Sequence, residues 1–178
     1  KFIKIVIYVL VFYIIYFLQI SFFEEFTIAG IKPNMFIIAI IIIGLYSKPE
    51  KSFIIGVLCG LLIDLFDSKV IGLTAIGLGM LGYIISSAGK MFSIESKLSL
   101  IIFIFAGTLG YEILINLIKI IILQENINIQ KIMLVNFIEG IYNIILTIIF
   151  YPLCKKVLKI GSEDVQENRI DSYLKRMR

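Results

Sequence analysis

Six apolar stretches run from Phe2 to Leu158, separated only by short charged hinges. Most of these stretches are apolar all round, and a helix of that kind belongs in the core of a large protein or in a bilayer. With 178 residues in all, no large core is available to receive six of them. The solvent for most of the chain is therefore lipid. The expected fold is an all-α integral membrane protein, a bundle of six transmembrane helices.

Composition narrows the chemistry. Hydrophobic residues make up 60 % of the chain and mean hydropathy is +1.01, against roughly 45–50 % apolar usage in soluble domains. Histidine is absent, which excludes imidazole general-base catalysis and His-ligated metals. Cys59 and Cys154 are far apart in apolar runs and read as small hydrophobes,. No metal and no cofactor is expected. Tryptophan is missing too, so Tyr and Phe must supply any interfacial aromatic belt. The net charge of +4 sits mostly on connecting segments and the tail. That placement orients a membrane protein and does not point to nucleic acid. Lys1 and Lys4 precede the first run as in a signal peptide, but the run is long and lacks an A-x-A-like site. It reads as a retained helix.

The segments are Phe2–Phe23, Pro33–Tyr46, Phe53–Phe66, Ile71–Met91, Leu98–Leu123 and Ile132–Leu158. Together they form a membrane domain over residues 1–160, followed by a polar tail over 161–178. Pro33 suits the first position of a helix. Lys48, Pro49, Glu50 and Lys51 read as a charged turn within a 47–52 link. Segments two and three are short, roughly 14 residues or ~21 Å each. A re-entrant hairpin would bury three charges of that link, at ~2.5–3.5 kcal/mol each. Two short spans are the cheaper solution.

Six crossings put the N-terminus, the 47–52 link, the 89–97 link and the tail on one side. Thirteen of the seventeen Lys and Arg residues lie there, and only Lys32, Lys69, Lys119 and Lys131 lie opposite. The positive-inside rule then places both termini in the cytoplasm.

Small residues cluster in the middle segments. Gly56 and Gly60 form a GxxxG pair, and Ala75/Gly79 and Ala106/Gly110 repeat the spacing, with Gly77 and Gly82 close by. In lipid this spacing lets two backbones approach closely. It fits packing within the chain or the seating of a partner's helix. Asp64 follows Gly60 by four residues and so shares its helical face. It can cap the 64–72 turn, or act as an intramembrane proton or ion relay. Glu112, Asn116 and Lys119 form a polar stripe on segment five; Asn136, Glu139 and Asn143 form one on segment six. The two stripes can meet as a hydrogen-bonded seam, line a polar cavity or contact a partner. Lys119 can instead snorkel outward and pair with Glu112. No nucleophile–base pair, phosphate loop or dinucleotide fingerprint is present, and nothing indicates catalysis.

Pro33-Asn34 opening an apolar segment, then Gly56-x-x-x-Gly60-Leu61-Leu62-x-Asp64, Gly72 and Gly82-Tyr83, resemble the MreD family of bacterial rod-shape-determining membrane proteins. The resemblance covers roughly residues 1–158. It implies a non-enzymatic component of the cell-elongation machinery in the cytoplasmic membrane. Its implied partners are an MreC-type membrane protein, a class B penicillin-binding transpeptidase, RodA and MreB. It also implies a helix arrangement similar to the substrate-binding subunits of energy-coupled vitamin transporters. The alternative reading is such a subunit itself, but Lys1–Ile20 holds no Gly, Ala or Ser for docking an energising partner.

Overall fold

The computed structural model describes residues 10, 12–22, 25–27, 30–67, 70–89, 97–124 and 128–150. The start of segment one, the 90–96 link, Lys69, Cys154 and the whole polar tail lie outside the described residues.

Described residues form helices throughout and no sheet. They are α1 (Phe12–Ser21), α2 (Met35–Tyr46), α3 (Pro49–Asp67), α4 (Leu73–Gly89), α5 (Lys97–Leu123) and α6 (Ile129–Phe150). The last turn of α1 widens to a π-helix over Leu18–Phe22. Within α5 and α6, Leu98–Ile122 and Ile129–Phe150 are long and apolar enough to cross a bilayer. At ~1.5 Å per residue, α2 is only ~18 Å long, α4 ~26 Å and α3 ~28 Å.

α2 is the centre of the bundle. Its sequence is apolar on every side, and nine of its twelve residues are buried, Ile37, Ile40 and Ile41 almost completely. It packs on α4, α5 and α3. The outer helices have the opposite distribution. Ile54, Leu58, Leu65 and Phe66 on α3, Ile84 on α4, Ile113 and Ile121 on α5, and Met133 and Ile148 on α6 are all exposed. Meanwhile Ser52, Asp64, Thr108, Asn136, Glu139, Asn143 and Thr147 are buried. Soluble proteins rarely expose such continuous apolar surface. Polar inside and apolar outside is the distribution lipid requires.

α3 and α4 form the tightest pair. A Cβ at Gly56 would strike the Leu78 carbonyl, and one at Gly60 would strike the backbone of Ala75. A Cβ at Gly82 would lie 2.7 Å from the Ser52 carbonyl oxygen. The small residues let the backbones touch, with Ser86 Oγ donating to the Ser47 carbonyl at 2.6 Å.

Two boundaries differ from the sequence expectation. Pro33 lies outside α2; the N-cap is Asn34. The 47–52 link shrinks to Ser47 and Lys48, because α3 starts at Pro49 with Glu50 in its first turn. Pro at the first helical position and an acid in the first turn both favour a helix start, and Ser52 N–H closes that turn on the Lys48 carbonyl at 2.9 Å.

Candidate functional site

The polar residues gather into three knots. The first joins α3 to α4. Asp64 is 2 % exposed. Its Oδ2 accepts from Gly72 N–H at 2.8 Å and Ala75 N–H at 3.1 Å, and its Oδ1 accepts from Thr74 N–H at 3.2 Å. The first N–H groups of a helix have no intrahelical acceptor, and a carboxylate suits the positive end of the helix dipole. Gly72 permits the turn by taking φ +98°, a conformation costly for other residues.

The second knot closes the buried start of α2. Asn34 Oδ1 accepts from Phe36 and Ile37 N–H, both at 3.2 Å. Asn34 N–H donates to Asn143 Oδ1 at 2.9 Å, and Met35 N–H donates to Gln19 Oε1 at 2.8 Å. Gln19 Nε2 donates in turn to the Pro33 carbonyl at 3.0 Å. Asn143 Nδ2 reaches Thr108 Oγ1 on α5 at 3.1 Å. Two amide side chains from α1 and α6 thus supply the non-helical backbone before α2 with partners. Such backbone is tolerated at membrane depth only when enclosed by protein in this way. Tyr142 OH adds a 2.8 Å bond to the Phe26 carbonyl.

The third knot lies between α5 and α6. Among the described residues, the hydrogen bonds of the two polar stripes do not join one stripe to the other. The bond that crosses between helices is Asn143–Thr108. Asn116 instead donates to the Glu112 carbonyl of its own helix at 2.8 Å, a local bond of the kind amides make inside helices. Glu112 and Glu139 each lie one turn from Thr108 and Asn143, on the faces of α5 and α6 that the Asn143–Thr108 bond brings together,. Among the described residues Lys119 forms no ion pair with Glu112. Asn136 and Glu139 are buried as residues, while the fully buried side-chain polar atom without a partner among the described residues is Ser52 Oγ.

Gln19, Thr108, Tyr142 and Thr147 were not singled out by the sequence. Thr108 was within reach, since it extends the Glu112–Asn116–Lys119 stripe by one turn. Tyr142 was not, because its partner is 116 residues away. Gly56 and Gly60 are covered by α4 of the same chain, which leaves no room for a second helix on that face. An open groove of about 490 Å³ lies on the outer side of the α3–α4 pair, lined by Glu50, Phe53, Ile54, Met80, Tyr83 and Ile84. Among the described residues, no three His, Cys, Asp or Glu side chains come together as a metal site. These arrangements fix helices against one another.

No curated protein and no solved structure matches the chain. The family model described as rod shape-determining protein MreD matches residues 1–160, nearly the whole sequence and all six helices described above. The chain is a membrane protein belonging to the MreD family, whose role is the determination of rod shape.

Proposed function

We propose that the protein is a non-catalytic adaptor of the bacterial cell-elongation complex, binding an MreC-type membrane partner and supporting lateral peptidoglycan synthesis. In this reading it crosses the cytoplasmic membrane six times, with both termini in the cytoplasm. RodA, a class B penicillin-binding transpeptidase and MreB complete its surroundings. The same reading gives it a helix arrangement like that of the substrate-binding subunits of energy-coupled transporters.

One observation supports the reading most. Asp64, Asn34, Gln19 and Asn143 are engaged in holding helix ends, while the outward faces offer a broad apolar surface for other membrane helices. Docking on the Gly56/Gly60 face gives way to docking on these outer faces, since α4 already fills the former.

Co-isolation of the MreC-type partner with the tagged protein from mild detergent tests the proposal. Recovery of the partner at stoichiometric levels is the expected result. A properly folded protein that recovers none would overturn it. Saturable nanomolar binding of a vitamin would favour the transporter reading instead.

A further inference from the structure

We propose that the groove on the outer side of the α3–α4 pair seats a phospholipid whose headgroup carries a primary ammonium beside its phosphate. This concerns a ligand and not a protein partner, so it goes beyond the adaptor reading and stands independently of it.

The groove follows from how the two helices pack. Gly56, Gly60 and Gly82 let the α3 and α4 backbones touch, and the large residues flanking that contact stand away from it as two walls. Phe53 and Ile54 form one wall; Met80, Tyr83 and Ile84 form the other. All of these side chains are exposed. The Phe53 ring lies over Gly79, 3.2 Å from where a Cβ would stand. Between the walls is about 490 Å³ of open space, within the ~300–1,000 Å³ usual for small-molecule sites.

Glu50 closes one end of the groove. It lies in the first turn of α3, and it and its neighbours Lys48 and Lys51 are exposed. Charges are costly in hydrocarbon, so this end is at the headgroup level and the groove runs inward from it. The α3 wall from Glu50 to Ile54 is about one turn, or ~6 Å, tall. That height suits the glycerol end and first methylenes of a lipid. A partner's helix, or a second copy of this chain, fits poorly. Membrane helices pair on small residues that let backbones approach. Here those residues are already engaged between α3 and α4, and only bulky side chains face outward along the groove.

Apolar walls do not tell one lipid from another, because lipid tails are as apolar as the walls. The mouth does. Ile54 follows Glu50 by four residues and Lys51 by three, so both charges stand one turn from it at the edge of the groove. An acid beside a base matches a headgroup of both signs, with the ammonium on Glu50 and the phosphate on Lys51. A primary ammonium offers three N–H donors to a carboxylate, whereas a trimethylated one offers none. A headgroup with phosphate alone would satisfy Lys51 and set a like charge against Glu50.

The chain has no tryptophan, so a single introduced one reports lipid contact locally. Tyr83→Trp places the reporter in the groove, and Ile113→Trp places it on the exposed face of α5. Met80→Trp is the groove reporter if Tyr83→Trp does not fold. The full chain is reconstituted in phosphatidylcholine vesicles. Phosphatidylethanolamine, phosphatidylglycerol or phosphatidylcholine, brominated near the glycerol end, is added, and quenching gives relative binding constants. In the groove, phosphatidylethanolamine is expected to bind roughly threefold more tightly than phosphatidylcholine, the size of one exposed ion pair. It should also exceed phosphatidylglycerol. Ile113→Trp should show no preference, and adding Glu50→Gln to the groove reporter should remove the preference there.

Equal constants in the groove would mean ordinary surrounding lipid and overturn the proposal. So would phosphatidylglycerol in first place, which makes the lysines alone the attraction, or a preference that survives Glu50→Gln. Resistance to all three quenchers would assign the groove to a second copy in the purified chain, or to a partner's helix if it appears only with a co-isolated membrane protein. Either outcome overturns the lipid seat.

Discussion

Asp64 Oδ2 accepts the Gly72 N–H at 2.8 Å, tying the end of α3 to the residue that lets the chain turn into α4. The same oxygen reaches Ala75 N–H, directly beside Gly60, where the two backbones touch. Turn geometry, helix capping and close packing therefore meet within one helical turn. A fault at any of them loosens the others.

Asp64→Ala should lower stability in detergent, because each buried donor left without its acceptor costs ~1–3 kcal/mol. Asp64→Asn keeps one carbonyl oxygen and should lose markedly less. Thermal unfolding of the three proteins side by side checks the order. Equal melting temperatures would show that the carboxylate caps nothing.

Glycine substitutions should separate by position. Gly56→Ala and Gly60→Ala place a methyl group against α4 backbone, which cannot rotate aside as a side chain can. Overpacking of this kind typically costs ~1–3 kcal/mol, and Leu at either position should cost more. Gly110→Ala is the control. A Cβ there meets nothing within 4 Å, so it should be neutral or stabilise by ~0.5–1 kcal/mol through helix propensity. If Gly56→Ala melts no lower than Gly110→Ala, the close approach of α3 and α4 is wrong.

The sequence carried the fold unevenly, for physical reasons. Hydropathy carried the all-helical class, because a long apolar run in lipid has few alternatives to helix. Pro49 shows where this breaks down. Its charged neighbours looked like a turn, although Pro followed by Glu is also a helix start. Gly56 and Gly60 marked a close-packing face, but spacing alone does not say which helix covers it. Asp64 was legible as a cap because its donors lie 8–11 residues away. The knot at Asn34 was hidden, since it joins Gln19 to Met35 and Asn143 to Asn34 across 16 and 109 residues.

That hidden knot has its own test. Asn143→Ala leaves the Asn34 N–H and Thr108 without their partner. A double-mutant cycle with Thr108→Val should give a coupling of ~0.6 kcal/mol and at most ~1.7, the range for polar pairs between membrane helices. Thr108→Val alone should cost less than Asn143→Ala, because the asparagine also serves α2. Unfolding in mixed micelles yields both values, and zero coupling would show that the two side chains do not interact.

Topology is open to a direct check at Lys48 and Lys131, both exposed at helix starts. Between them lie α3, α4 and α5. If each crosses once, the two residues are on opposite sides of the membrane. The excess of Lys and Arg on the Lys48 side makes that side cytoplasmic. With Cys59 and Cys154 replaced by Ala, a single cysteine at Lys131 should react with an impermeant maleimide added to intact cells. One at Lys48 should react only after the membrane is opened. The half-buried Cys59 makes a clean background necessary. Labelling of both positions from outside would mean that one of the three helices turns back within the bilayer. α3, with Glu50, Lys51, Asp64 and Asp67 near its ends, would then be the first to reconsider.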